Sequence, residues 1–298
     1  MNALSRFLHR TAARIRNAWR LDCPICGSTQ PREFHARGGR RLLQCPDCRH
    51  IYWRRFPTAR ELTRFYENVY TEAKSQPALQ ESNRAYYRRH VEELLFYAGA
   101  PQPGGVTMVD FGCSIPVMLQ EAKKLGVGRP IGVDYVAGDH GIEMIRPDAV
   151  EGLGERSIDI LRFSHALEHL PDPCAMLKRF YPRMKAGGLL HITQPNFPVL
   201  YADAEGHEVR DADYPEHLHF FSTLSLYRMV QGAGFRPLRL FTHYREEENF
   251  RKLGYWIDFD YIEEQMDEAA ELGDSVFHPL GNYPCYCGEN SALYAKAY

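Results

Sequence analysis

Four cysteines near the start of the chain have the spacing of a zinc site. They form two pairs, Cys23 with Cys26 in "CPIC" and Cys45 with Cys48 in "CPDC", and 18 residues separate the pairs. Two such pairs can offer four thiolates to one tetrahedral Zn²⁺. Because protein then fills every position, the ion is structural and folds a segment too short to build its own core. Redox pairs and an iron–sulfur cluster remain as alternatives.

Histidines and glutamates are concentrated in two later stretches, "HALEH" and "EHLH". Imidazole accepts and releases protons near neutral pH, so both stretches could supply an acid–base group. The candidates are His165, His169, Glu216, His217 and His219. The spacing H-x-x-E-H, which includes Glu168, is also that of inverted zinc proteases. Such a protease needs a sustained helix, which the preceding strand and the following "LPDP" disfavour.

From residue 106 onward, predicted strands alternate with predicted helices. Strands are expected at "VTMVDF", "PIGVDY", "DILRFS" and "LLHITQ", and helices at 116–126 and 174–188. This alternation predicts an α/β fold in which helices cover both faces of a doubly wound, mostly parallel sheet. Ligands of such folds lie at the carboxyl ends of the strands. Before this region, a helix is expected over residues 82–99.

Three stretches resemble the class I S-adenosylmethionine-dependent methyltransferases, in the branch that often carries an N-terminal zinc ribbon. They are "VDFGC" with "GVDY", residues 157–196, and residues 216–235. The resemblance implies a seven-stranded-type sheet and S-adenosylmethionine as the cofactor. It also implies methyl transfer to a small molecule, with a nucleotide-linked sugar or another glycan precursor as the acceptor class.

The resemblance also implies where the methyl donor binds. The cofactor-binding residues that it points to are Asp110, Gly112, Ser114, Asp134, Asp148 and Ser164. Asp134 ends the second strand, where an acid can accept both ribose hydroxyls, as in dinucleotide sites. Asp110 and the turn at Gly112 correspond to the methionine end of the donor, and Asp148 corresponds to the group that reads the adenine.

A catalytic base is implied by the stretch "EHLHF". In similar sugar C-methyltransferases a glutamate–histidine pair serves as the base, which corresponds to Glu216 and His217 here. His165 is a further candidate, because the "HALEH" stretch lines the methionine end of the donor and the substrate mouth in methyltransferases. A base is required when the acceptor is a hydroxyl or a carbon acid.

The donor loop departs from the family pattern in two ways. The family turn reads roughly G-x-G-x-G, whereas this chain has Gly112, Ser114 and Pro116. Ser114 is expected to cap the following helix and Pro116 to lie in its first turn, where a missing amide is tolerated. Asp159 follows Asp134 by only 25 positions, so a short turn and one brief strand are expected there. A scaffold subunit that has lost its cofactor is therefore an alternative function.

The first sixty residues carry 13 arginines, no lysine and three acids, a formal charge of +10 within a chain whose net charge is −2. Residues 1–20 place apolar side chains at helical spacing and predict a basic amphipathic helix. This helix could bind an anionic membrane surface, the acidic body of the protein, or a second subunit. The basic head also leaves open an RNA methyltransferase that grips RNA through its ribbon.

The sequence thus predicts four segments. They are the amphipathic helix (1–20), the zinc ribbon (21–58), a helical connector (59–100) and a methyltransferase-like domain (101–298) with an insertion at about 245–288. No apolar run approaches the ~18 residues of a membrane span, and the first residues lack the pattern of a secretory signal, so neither is expected. We expect a cytoplasmic protein, with peripheral membrane association through residues 1–20 as a further possibility.

Overall fold

The computed structural model describes residues 22–37, 39–58, 60–62, 64–65, 84–135, 140–195, 216–243, 255–257 and 289–296. The amphipathic helix predicted at 1–20 and most of the insertion predicted at 245–288 lie outside these residues. No described helix has the length and apolar character needed to cross a membrane.

The described elements are twelve strands, four α-helices and four short 3₁₀ helices. The strands are β1 (Arg32–Arg37), β2 (Arg40–Gln44), β3 (Ile51–Trp53), β4 (Thr107–Phe111), β5 (Arg129–Val133), β6 (Glu143–Ile145), β7 (Ile158–Ser164), β8 (Met184–Pro195), β9 (His219–Phe220), β10 (Phe235–His243), β11 (Tyr255–Ile257) and β12 (Glu289–Lys296). The α-helices are α1 (Arg84–Tyr97), α2 (Val117–Lys124), α3 (Pro173–Phe180) and α4 (Thr223–Gly232). The 3₁₀ helices are Pro103–Gly105, Pro147–Gly152, Leu167–His169 and Tyr181–Arg183.

Eight strands form the large sheet, in the order β11, β10, β12, β8, β7, β4, β5 and β6. The five strands from β8 to β6 are parallel to one another, and β12 runs antiparallel between β8 and β10. The predicted α/β fold with a mostly parallel sheet is confirmed. The carboxyl ends of β4, β5 and β7 lie side by side, which brings together the loops that follow Phe111, Val133 and Ser164.

Helices cover both faces of this sheet. Successive side chains of a strand point to opposite faces, so each buried strand contributes apolar residues to both layers. Residues such as Met108, Ile160 and Leu189 pack with α1 and α2 in one apolar cluster. Their neighbours Val109, Leu161 and Leu190 pack with α3 and α4 in the other cluster. Strands buried on both faces read as continuous apolar runs, which is why β4 and β7 were recognisable in the sequence.

The helix predicted over 174–188 is shorter in the structure and ends at Phe180. A 3₁₀ turn at Tyr181–Arg183 follows, and β8 begins at Met184. Pro182 has no amide hydrogen to continue the helix, which explains the early end. The pair Gly187 and Gly188, expected to close the helix, instead lies within β8, where Gly187 has a φ of +73°.

One row of polar side chains crosses the sheet beneath α1. Asp110 of β4 lies opposite Arg162 of β7, which lies opposite His191 of β8. The Arg162 guanidinium donates through Nη1 to both Asp110 oxygens, at 3.0 and 3.1 Å. His90 of α1 covers the row, with its ring centroid 4.7 Å from that of His191. Burial raises the pKa of the Asp110 carboxyl, and the Arg162 charge opposes that rise.

Replacing Arg162 by methionine is expected to lower the free energy of unfolding by about 3–5 kcal/mol, because Asp110 then stays buried without its partner. Urea unfolding followed by circular dichroism measures this loss. The double variant Asp110→Leu/Arg162→Met is the matched control, since it removes both charges and should recover most of the stability. A double variant as unstable as Arg162→Met alone would contradict this explanation.

Candidate functional site

The four ribbon cysteines lie in two knuckles that repeat the same backbone hydrogen bonds. The amide of Cys23 donates to the carbonyl of Ser28, and that of Cys45 donates to the carbonyl of His50. One residue after each pair, the amide of Gly27 or Arg49 donates back to the first cysteine. Both of these residues adopt positive φ, +76° and +59°. Each knuckle therefore presents its two sulfurs from the same tight turn.

The four sulfurs converge as a zinc ion requires. Cys23 and Cys48 lie 3.5 Å apart, as do Cys26 and Cys45, so each contact joins one knuckle to the other. Tetrahedral zinc with sulfur ligands at about 2.3 Å separates those ligands by about 3.8 Å. Cys23, Cys45 and Cys48 are buried. The predicted set of four thiolates thus fits a structural zinc ion, which contributes folding energy to the ribbon.

A strand from the last third of the chain completes the ribbon sheet. Strands β1, β2 and β3 form an antiparallel meander, and β9 adds to its edge by pairing with β3. Leu218 and Phe220 are buried in the same apolar cluster as the ribbon cysteines. His50 and His219 face each other, with Nε2 and Nδ1 2.9 Å apart, and burial lowers the pKa of His50 to about 3. Residues 218–220 are therefore part of the ribbon's own core.

Three hydrogen bonds hold the residues that precede β9. The Trp53 indole donates to the carbonyl of His217 at 3.0 Å. The amide of Leu218 donates to the carbonyl of Glu168 at 2.8 Å, and His169 Nδ1 lies 3.1 Å from the carbonyl of Glu216. The stretch 216–218 is thus clamped between the ribbon and the turn that follows β7.

This clamp brings the predicted catalytic residue His217 beside the turn that carries His165 and His169. His165 Nδ1 lies 3.6 Å from Glu168 Oε1, and the rings of His169 and His217 are 4.7 Å apart. Side-chain atoms of Glu168, His169 and His217 all lie within 4.8 Å of one another. Burial lowers the pKa of His169, and the neighbouring Glu168 carboxylate opposes that change. Glu216 contributes its backbone carbonyl to the clamp.

The donor loop is a tight turn despite its unusual sequence. Gly112 has a φ of +74°, and its amide donates to the carbonyl of Val133 at 2.8 Å. A Cβ at Gly112 would lie 2.9 Å from the Cβ of Ala166, so only glycine fits there. Ser114 takes a φ of +48°, a conformation that usually favours glycine. The family's second glycine is therefore replaced by a strained serine that keeps a left-handed backbone.

Ser114 and Pro116 differ from their predicted roles at the start of α2. Ser114 caps nothing, because α2 begins at Val117 and its preceding residue, Pro116, has no side-chain capping bond. The amide of Ser114 instead donates to Asp134 Oδ2 at 2.7 Å. Pro116 lies just outside the helix, and its carbonyl accepts the first helical bond, from Gln120. The proline therefore costs the helix no hydrogen bond.

The other predicted donor residues are dispersed around this turn. Asp134 is buried at the end of β5, and Ser164 is half-buried at the end of β7. Asp148 is exposed in the 3₁₀ helix after β6 and pairs with Arg146 at 3.2 Å. Asp110 lies further inside, bound to Arg162. The short connection predicted after Asp134 is confirmed in its described part, which contains β6 and one 3₁₀ helix.

Two residues that shape the site were missed from sequence. Trp53 orients His217, and its only sequence signal was the aromatic and basic stretch "CRHIYWRRF". Arg162 neutralises Asp110, and its signal was a charge flanked on both sides by apolar residues in "ILRF". A charge in a doubly buried strand requires a partner, and that requirement could have identified the pair.

The sheet order, the glycine turn after β4 and the acid after β5 define a Rossmann-like α/β protein of the class that binds nucleotide-like cofactors. Residues 79–240, more than half of the chain, match the methyltransferase domain family. The chain therefore belongs to this family, within the class I S-adenosylmethionine-dependent methyltransferases. Its cofactor is S-adenosylmethionine.

Solved structures with a similar fold include methyltransferases from two organisms. An S-adenosylmethionine-dependent enzyme from Archaeoglobus fulgidus is 20% identical with a TM-score of 0.47, covering 72% of this chain and 94% of that one. Another, from Mesorhizobium loti, is 18% identical with a TM-score of 0.44, covering 69% of this chain and 98% of that one. A search of curated proteins finds no match.

Removing zinc with a chelator is expected to release residues 216–220 as well as the ribbon, because β9 pairs only with β3 in the described sheet. Hydrogen–deuterium exchange should rise in peptides covering 40–53 and 216–220, while β4 stays protected. Cys45→Ser should reproduce the effect, and Cys174→Ser, which leaves the four ligands intact, should not. Unchanged exchange at 216–220 after zinc loss would show that the ribbon does not hold this segment.

Proposed function

We propose that the protein transfers a methyl group from S-adenosylmethionine to a small-molecule acceptor, whose proton is removed by His165. The proposal is carried by one observation. The donor turn at Gly112 and the histidine cluster at 165–169 follow adjacent parallel strands, β4 and β7, so both lie at the same edge of the sheet. Methyl transfer requires this juxtaposition, because donor and acceptor must be aligned for an in-line displacement.

On the donor side, Gly112, Ser114 and Asp134 form a continuous hydrogen-bonded wall. The bond from the Ser114 amide to Asp134 ties the turn after β4 to the end of β5. We assign Asp134 to the ribose hydroxyls, Asp148 to the adenine, and the turn with Ser164 to the methionine end. When bound, S-adenosylmethionine supplies an activated methyl group on a sulfonium. Asp110 supports the turn from below through its pair with Arg162.

On the acceptor side, His165 is the group best placed to take a proton. Its side chain is about one-third exposed, whereas Glu168 behind it is almost fully buried. Nδ1 of His165 faces the Glu168 carboxylate, and we assign Nε2 as the atom that takes the proton of the acceptor. At 3.6 Å from the ring and without a hydrogen bond to it, a carboxylate can still stabilise the protonated imidazole through its charge. The amide of His165 donates to the carbonyl of Thr193, which fixes the residue at a φ of +47°.

Glu216 and His217 lie on the opposite side of the same cluster. His217 faces His169, and its backbone is held by Trp53. We assign these residues to the wall of the acceptor site, where the ribbon fixes their position. A nucleotide-linked sugar or another glycan precursor remains our proposed acceptor class, from the likeness of "EHLHF" to sugar C-methyltransferases.

Gly112→Ala should weaken S-adenosylmethionine binding at least about tenfold, a change of about 1.4 kcal/mol. The added Cβ would lie 2.9 Å from the Cβ of Ala166, and an alanine is strained at the left-handed φ of this position. The turn must therefore move. Isothermal titration with S-adenosylmethionine measures the affinity. Gly105→Ala is the matched control, because a Cβ there meets nothing within 4 Å.

Absence of any binding heat or thermal shift for the unmodified chain at millimolar S-adenosylmethionine would overturn the enzyme proposal. That result would favour a methyltransferase-like scaffold whose loop, altered at Ser114 and Pro116, no longer admits the donor.

His165→Gln should lower kcat by about 10²- to 10⁴-fold, the usual contribution of a general base, and should leave the affinity for S-adenosylmethionine unchanged. The assay follows release of S-adenosylhomocysteine with a panel of nucleotide-linked sugars as acceptors. His217→Gln serves as the comparison, since it alters the facing wall. If His217→Gln abolishes turnover while His165→Gln does not, His165 is not the base.

A further inference from the structure

Glu168 is a buried carboxylate whose environment the methyl-transfer proposal only partly explains. The residue is 2% exposed, and neither side-chain oxygen makes a hydrogen bond within the described part of the chain. A buried charge without hydrogen bonds is costly unless it is paired or coordinates a metal ion. The nearest described cationic or metal-binding side chains are histidines.

The distances from Glu168 to its histidine neighbours are unusual for hydrogen bonds. Glu168 Oε1 lies 3.6 Å from His165 Nδ1 and 3.9 Å from His169 Nε2. Hydrogen bonds between such atoms are about 2.7–3.2 Å long. Two atoms that bind one metal ion at about 2.1 Å in tetrahedral geometry lie about 3.4 Å apart. Both distances are thus closer to the spacing of two metal ligands than to a hydrogen bond. Among the described residues, His169 rather than His165 joins Glu168 and His217 in a group of three donor atoms.

His169 is also held as metal-binding histidines usually are. Its Nδ1 faces the backbone carbonyl of Glu216 at 3.1 Å, and its Nε2 faces Glu168. A bond from Nδ1 to a carbonyl fixes the tautomer and leaves the Nε2 lone pair for a metal ion. The nearby His217 brings a third donor atom within 4.8 Å of the other two.

We propose that Glu168, His169 and His217 bind a divalent transition-metal ion, distinct from the zinc of the ribbon. Two imidazoles and one carboxylate suit Mn²⁺, Fe²⁺, Co²⁺ or Zn²⁺ better than Mg²⁺, which prefers oxygen ligands and retains several waters. The three donor atoms lie within 4.8 Å of one another, so binding would draw them together around the ion. Three protein ligands leave at least one position open, where water or an oxygen of the acceptor binds.

The ribbon supports this second site through the protein backbone. His217 is placed by the Trp53 indole, and Leu218 is bound to the carbonyl of Glu168 itself. The two ligand-bearing segments are therefore joined by a direct hydrogen bond beside the proposed ion. The metal site does not depend on methyl transfer and can be tested by binding alone.

The test uses the full chain with its ribbon already loaded with zinc. Mn²⁺ is titrated in, and electron paramagnetic resonance follows the signal of free Mn²⁺, while zinc content is measured before and after. We expect one Mn²⁺ per chain. Glu168→Gln should weaken Mn²⁺ binding at least about 100-fold. Loss of a residue that only hydrogen-bonds to a ligand costs up to about 100-fold in metal affinity, and loss of a direct ligand should cost no less. Glu155→Gln should bind as the unmodified chain does, because Glu155 is exposed and lies outside the cluster.

His217→Ala provides a second variant should Glu168→Gln fold poorly, since His217 is only half-buried. It should also lose Mn²⁺, with an unchanged unfolding temperature. No uptake of Mn²⁺ beyond the zinc-filled ribbon would overturn the proposal. Mn²⁺ uptake that persists in folded Glu168→Gln and His217→Ala chains would also overturn the proposal, because the ion would then bind elsewhere.

Discussion

The antiparallel pairing between β3 and β9 is the constraint on which the rest of the site depends. It joins a strand of the cysteine ribbon to a strand that begins two residues after His217. The ribbon is too small to build a complete hydrophobic core from its own residues. Leu218 and Phe220 complete that core. In return, Trp53 sets the position of His217 against the turn after β7. A metal ion in the ribbon would therefore act on the proposed acceptor wall indirectly, through this packing and these hydrogen bonds.

The donor side shows how a degenerate motif can keep its shape. Ser114 occupies a left-handed backbone conformation that costs of order 1–3 kcal/mol for a residue with a side chain. The bond from its amide to Asp134 offsets part of that cost, since bonds to charged groups contribute about 1.5–3 kcal/mol. Asp134 thereby supports the turn that it is also expected to share with the donor ribose.

Local patterns in the sequence were sufficient for the sheet, the ribbon knuckles and the position of Gly112. Each of these depends on residues a few positions apart, through period-two burial or the geometry of a tight turn. The pairing of β3 with β9 was not predictable in this way, because a two-residue strand carries almost no pattern and its partner is distant in the chain. The pairing of Arg162 with Asp110 was also missed because the two residues lie 52 positions apart in the chain. Ser114 was misread as a helix cap because its backbone conformation, rather than its side chain, determines its role.

The separation of β3 from β9 along the chain also bears on synthesis. Trp53 and His217 are 164 residues apart, and His50 and His219 are 169 apart. At about 5–20 residues per second, the ribosome needs roughly 10–30 s to deliver the partner strand after the ribbon has emerged. During that interval the edge of β3 and the apolar surface around it stay open to other nascent chains. A nascent ribbon that has already captured its zinc ion is therefore exposed to mispairing until the last third of the protein is made.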